Sequence, residues 1–433
     1  MILPTQSAAR LKNTESDVAV PAAKSEASAA LSLLSASAVR ERAHRMLALA
    51  LDDKLPNFRI HPDKMDSVVD LVLQTTREAY PSLDVPFHSR WRHFVVNGDN
   101  RWTAIANRVR WPDPASRARA EFDLAMVSVF LDAGAGPTWR YRDPKSGAAI
   151  GRSEGLALAS LAMFEGGTFS ANASEPLRAD GEALASLSVN DVARGLQVSD
   201  GNPLVGLEGR VELLRSLGKL VVSRADIFGR HDAPRPGGLF DQLASRTENG
   251  RLPAPVILSE LLQQLGPIWP SRLSLGGIAL GDCWRHPSLT TDDATNGVVP
   301  LHKLSQWLAY SLIEPLQTAG IEVVDIDGLT GLAEYRNGGL FIDSGVLAFR
   351  DEKDAQREHE VSSALVVEWR ALTVALLDRL ADGVRKRLGL DAKSLPLAKV
   401  LEGGSWATGR RLARERRADA SPPVKVISDG TVF

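Results

Sequence analysis

Between positions 361 and 388, apolar side chains recur at steps of three and four: Leu365, Trp369, Leu372, Leu376 and Leu380, thickened by Val366, Val374 and Leu377. A segment that is apolar most of the way round its first half reads as a helix buried in a large core. The same spacing returns along the chain. Val39, Ala43, Met46, Leu47 and Ala50 form one stripe, and Met65, Val68, Val69 and Val72 another before Pro81. Leu204, Leu207, Val211, Leu214 and Leu217 form a third, and Leu258, Leu261, Leu262 and Leu265 a fourth that stops at Gly266-Pro267. Asp113-Pro114 reads as a cap and a first-turn proline opening a helix that runs to Gly134, and 301–316 reads as one more helix. Strand signals are short, at 321–324, 340–342, 346–349 and 424–427. A doubly wound sheet needs strands and helices to alternate throughout, so the expected class is mainly α with a few short β-strands.

A chain of 433 residues has room for one large domain or several. Residues 1–30 mix Ser, Ala, Lys, Glu and Asp and are expected to be a disordered tail. Residues 31–433 read as a single large, mostly helical catalytic domain or as two lobes, 31–200 and 201–433. Val424, Val426, Ile427, Val432 and Phe433 are too apolar for a free end and should pack back on the body. Fifty-one basic against 53 acidic side chains leave a charge of -2, which disfavours a nucleic-acid partner. The basic stretch 410–417 is interrupted by Leu412, Ala413 and Glu415 and reads as a solvated helix face. No apolar window reaches membrane-spanning length, and the start lacks the pattern of a signal peptide. One cysteine, Cys283, excludes an intrachain disulfide and a multi-thiolate zinc site, so a cytoplasmic protein is expected, with an oligomer compatible.

Phosphate-binding glycine loops, paired-histidine zinc helices and serine elbows are absent, so chemistry has to be sought in polar residues that interrupt apolar patterns. Glu368 falls on the stripe of the 361–388 helix and Arg370 interrupts the adjoining one; an internal ion pair is the simplest account of both. In 323–347, Asp325, Asp327, Glu334, Tyr335 and Arg336 stand beside Gly328, Gly331, Gly338 and Gly339, a combination suited to a polyhydroxylated or phosphorylated ligand. Turn capping suffices for the two aspartates. For Glu334 and Arg336 a structural and a functional role stay open. Lys303, Gln306 and Tyr310 share a helix face upstream. Trp284 could stack on a planar group, with Asp282 or His286 transferring protons, whereas Cys283 and His286 alone do not make a metal site. Loop packing would explain the aromatic and basic run 87–93 with Trp102 and Trp111, contact with a ligand being the alternative.

The segments LSA at 34–36, HPD at 61–63, FHSRWRHF at 87–94, GDCWRHP at 281–287, PLHKLSQW at 300–307, DGLTGLAEYRNGGLF at 327–341 and SDGTVF at 428–433 carry a resemblance over nearly the whole chain. It is to the uracil-catabolism family that forms the fourth protein of the fungal and bacterial pathway degrading uracil by way of ribosylurea. A remoter similarity is to the queuosine salvage glycohydrolases, which cleave the N-glycosidic bond of queuosine 5'-phosphate on a helical scaffold like that of DNA glycosylases. Their Lys-x-x-Gln helix, Leu/Ile-Thr-x-x-x-Asp-Tyr-Arg element and late Glu-x-Arg helix resemble Lys303 with Gln306, Leu329-Thr330 with Glu334-Tyr335-Arg336, and Glu368 with Arg370. Glu334 replaces the family's aspartate, and Ser311 stands near the place of its Asp-x-Trp pair, whose task Asp282 and Trp284 could assume.

These resemblances imply a helical, DNA-glycosylase-like architecture and hydrolysis of the N-glycosidic bond in a ribosylurea-like or ring-opened pyrimidine nucleoside or nucleotide. Glu334 would supply the carboxylate beneath the sugar and Lys303 and Arg336 the sugar or phosphate contacts. Asp282 with Trp284 would meet the leaving group. Gln306, Tyr335, His286, Glu368 and Arg370 would complete the binding site, with water as acceptor and neither metal nor cofactor. The alternative is a noncatalytic subunit or chaperone of another uracil-catabolism enzyme.

Overall fold

The computed structural model describes residues 19–427, apart from 133, 232 and 270–272, with side chains from Glu26 onward. The protein is mainly helical and is organised about the helix Ala364–Leu388, whose first half is buried on every side. Ser363 starts it three residues later than the apolar spacing suggests, because its hydroxyl accepts from the Val366 N–H at 3.3 Å. Arg385, Lys386 and Arg387 in the last turn and Gly389 at φ 67° end it. Helices Ala36–Leu51, Met65–Ala79 and Tyr335–Asp343 pack against it. On another side Lys303–Thr318 packs between Pro114–Phe130 and Ala254–Leu265. Asp113 caps Pro114–Phe130 as expected, accepting from the Ser116 N–H at 2.6 Å, but the helix closes at Leu131 rather than Gly134. Asp132 therefore stands just beyond a helix end. Buried apolar side chains run as one cluster from Ala30 to Val424. No helix among the described residues is long and apolar enough to cross a membrane.

Among the described residues all the sheets are two-stranded. Glu322–Val324 runs parallel to Arg251–Pro253, Leu347–Phe349 antiparallel to Phe58–Ile60, and Cys283–Arg285 antiparallel to Val298–Pro300. The strand expected at 340–342 is instead the last turn of helix Tyr335–Asp343. Glu334 caps that helix, and a Cβ on Gly338 would sit 2.6 Å from the Trp369 ring, so Gly338 serves helix packing and not loop flexibility. The tail expected over 1–30 is helical from Ala19 to Leu33; residues 1–18 lie outside the described residues. An alanine-rich composition favours that helix. Its end is fastened by burial of Ala30 and Leu33.

At the other end Val424 is fully buried and Lys425–Ile427 pairs in parallel with Glu358–Glu360. The remainder of the segment expected to pack, 428–433, lies outside the described residues. Removing 424–433 should cost about 2 kcal/mol, the worth of one buried valine, and lower the urea-denaturation midpoint. An unchanged midpoint would mean that the segment contributes nothing.

Candidate functional site

Two helix starts, those of Lys303–Thr318 and Tyr335–Asp343, are tied to one buried ion pair. Asp282 Oδ1 accepts from Arg370 Nη1 at 2.8 Å and Trp284 Nε1 at 2.7 Å; Oδ2 accepts from Arg370 Nη2 at 2.8 Å and the Lys303 backbone N–H at 3.0 Å. The Lys303 helix is thus capped by a carboxylate from a distant loop, which also complements its dipole. His302, at φ 47°, makes the turn into it. Arg370 Nε reaches the carbonyl of Ala333, the residue before Glu334, at 3.2 Å. Burial opposes the Asp282 charge, but Arg370 and the other donors outweigh it and hold this carboxyl well below the usual range. Asp282, Trp284 and Arg370 are therefore fully engaged as a brace. A cavity of about 20 Å³ beside Asp282, His302 and Ser305 has room for one water and not for a nucleoside.

Several other residues singled out from sequence are also engaged with the protein. Glu368 does not pair with Arg370; it accepts from the Phe58 N–H at 2.8 Å and from Asn57 Nδ2 at 2.8 Å, fastening strand Phe58–Ile60 to the core. His286 Nε2 lies 3.3 Å from Glu368 Oε2, out of line for a hydrogen bond. Gln306 holds Thr330 by its side chain, donating to Oγ1 at 2.7 Å, and Tyr310 donates to the Thr330 carbonyl at 2.9 Å. Arg336 donates to the Ala420 carbonyl at 3.0 Å and lies 4.9 Å from the Tyr335 ring centre.

Lys303 is different, and Glu334, although bonded to its own helix, acts on it electrostatically. Glu334 is 7% exposed and caps its helix, with Oε2 accepting from the Arg336 N–H at 2.7 Å and Oε1 from the Asn337 N–H at 2.5 Å. Burial raises its pKa against those two bonds and the charges of Lys303 and His88. The Lys303 ammonium has no hydrogen-bonded or ion-paired partner among the described residues. Burial lowers its pKa, opposed mainly by Glu334 and Asp132. A buried carboxylate within electrostatic reach of an ammonium that lacks a partner among the described residues suits a polar ligand.

Sequence reasoning missed Asp132. Its Oδ2 pairs with Arg90 Nη1 at 3.1 Å, while Oδ1 is buried without a hydrogen-bond partner. The Asp132 charge acts on Lys303, Tyr335 and His93. Trp307, one turn beyond Lys303, has a buried indole N–H without a partner, and its ring lies 5.3 Å from the Arg90 guanidinium. Arg152, in the left-handed region at φ 58°, adds a charge felt by Tyr335. A partnerless acceptor, N–H and ammonium in one neighbourhood suit a ligand bearing both donors and acceptors. One signal was readable: an aspartate directly after a helix end opposes the helix dipole.

Residues 32–433 match the family described as protein of unknown function (DUF1688), and the chain belongs to it. Protein urg3 of Schizosaccharomyces pombe is 42% identical over 412 residues, 93% of this chain and 98% of that one. Uracil catabolism protein 4 of Lachancea kluyveri is 36% identical over 411 residues, covering 87% and 92% of the two chains.

Proposed function

We propose that this chain serves uracil catabolism, as the name of its Lachancea kluyveri relative suggests, by hydrolysing the N-glycosidic bond of ribosylurea or a related ring-opened pyrimidine nucleoside or nucleotide. The observation that carries this reading is the buried Glu334 carboxylate within electrostatic reach of a half-buried Lys303 ammonium that has no partner among the described residues, the two helix starts being held by the Asp282–Arg370 brace. Breaking C1'–N leaves an oxocarbenium-like sugar, and a preplaced carboxylate stabilises that charge more in the transition state than in the ground state. Glu334 fills this role and Lys303 contacts a sugar or phosphate oxygen. Asp132 Oδ1 accepts from a urea N–H, and the Trp307 N–H donates to a ligand oxygen. In this reading Asp282 and Trp284 position Lys303 and leave the departing urea to the Asp132 side.

Purified protein incubated with ribosylurea and, separately, with its 5'-phosphate should release urea from at least one, together with ribose or ribose 5-phosphate. Release from neither would contradict the proposal.

A further inference from the structure

We infer that His88, oriented by Glu402, is the proton donor to the departing nitrogen in the glycoside hydrolysis proposed above, on which this inference rests. His88 is 6% exposed and belongs to the aromatic and basic run 87–93. Its Nδ1 lies 2.7 Å from Glu402 Oε2. The other Glu402 oxygen accepts from the Tyr80 hydroxyl at 3.2 Å. Burial opposes the Glu402 charge, but His88, His93 and Arg92 lower its pKa overall. An ionised carboxylate can only accept, so Nδ1 carries the proton and Nε2 is left to exchange one. Nε2 has no hydrogen-bond partner among the described residues, and His88 lies within electrostatic reach of Glu334.

The backbone around Glu402 is built for this contact. Leu401–Ser405 forms a π-helical turn, a rare irregularity concentrated at functional sites. Gly403 and Gly404 let the turn press on helix Met65–Ala79: a Cβ on Gly404 would stand 2.5 Å from the Thr76 hydroxyl. The neighbouring imidazole is not equivalent. His93 Nδ1 lies 3.1 Å from Arg90 Nη1, and burial together with that guanidinium pushes its pKa down to about 4, so it is neutral near pH 7. His88 instead has one carboxylate in contact and a second within electrostatic reach.

In the step itself the C1'–N electron pair leaves with the urea nitrogen, which takes the proton from His88 Nε2. Water adds its oxygen to C1' and gives one proton to Glu334. That proton returns to His88 through solvent, so ribosylurea and water become ribose and urea.

The test is kcat and KM for urea release from ribosylurea. The titratable and charged groups around His88 are Glu402, Tyr80, Glu334, His93 and Arg92, with the Lys399 ammonium over the adjacent Phe87 ring. His88→Gln should lower kcat at least about a hundredfold with KM nearly unchanged. Glu402→Gln, which removes the carboxylate that orients the imidazole, should lower kcat with KM nearly unchanged, and Glu402→Asp should partly restore it. This variant decides the matter if His88→Gln fails to fold. A kcat retained in His88→Gln, or unchanged in Glu402→Gln, overturns the His88 assignment alone. A wild-type protein that releases no urea overturns the hydrolase reading and this inference with it.

Discussion

Replacing Glu334 with glutamine should lower turnover of ribosylurea by at least about a hundredfold, a few kcal/mol, while leaving ligand affinity nearly intact. A carboxylate that answers the developing sugar cation acts in the transition state, so its loss falls on kcat. Because Glu334 also caps helix Tyr335–Asp343, a loss of stability of about 1 kcal/mol should accompany the change. The two effects separate in Glu334→Asp. Aspartate is a good cap, but its charge is retracted by one methylene, so this variant should be at least as stable as the Gln variant and intermediate in rate. A Gln variant with full activity would reduce Glu334 to a helix cap.

Replacing Asp282 with asparagine should destabilise the fold by about 3–5 kcal/mol, because it leaves the Arg370 guanidinium buried without its counter-charge. The acid limb of stability provides an independent check. Asp282 has a folded pKa depressed below its unfolded value of about 4, so its stabilisation is fully present above that pH. It is lost as pH falls through the depressed folded value. The Asn variant lacks this contribution, so its denaturation midpoint should fall less steeply than wild type on acidification below about pH 4. A loss under about 1 kcal/mol with an unchanged acid profile would mean that the pair is not the brace described.

Helices were legible wherever one face had to be apolar, as in Ala36–Leu51, Ala254–Leu265 and Ala364–Leu388. At 340–342 the short apolar run reads as a strand, but it continues a helix whose Gly338 lies in close contact with Trp369. The alanine-rich start hid a helix because its packing partner, the turn at Gly276, lies far along the chain. In the candidate site, spacing was enough to single out Lys303 and Glu334. It could not separate them from Glu368, His286, Gln306 or Arg370, since buried polar residues break an apolar pattern alike whether they meet a ligand or the protein's own backbone. Hydrogen bonds set apart only Lys303, whose ammonium has no partner among the described residues, since Glu334, Glu368, Gln306 and Arg370 all bond to the protein. Asp132, His88 and Glu402 come from three further segments, and only the fold brings them to this neighbourhood.

The most direct test follows both ends of the bond said to break. Ribosylurea, or its 5'-phosphate, labelled with ¹³C at C1' and at the urea carbonyl and incubated with wild-type protein, should convert the C1' resonance to those of free ribose or ribose 5-phosphate. The urea carbon should appear at the same rate as intact urea, and Glu334→Gln should slow both. No change in either resonance with wild type, or loss of the carbonyl label as carbonate, would contradict an N-glycoside hydrolase.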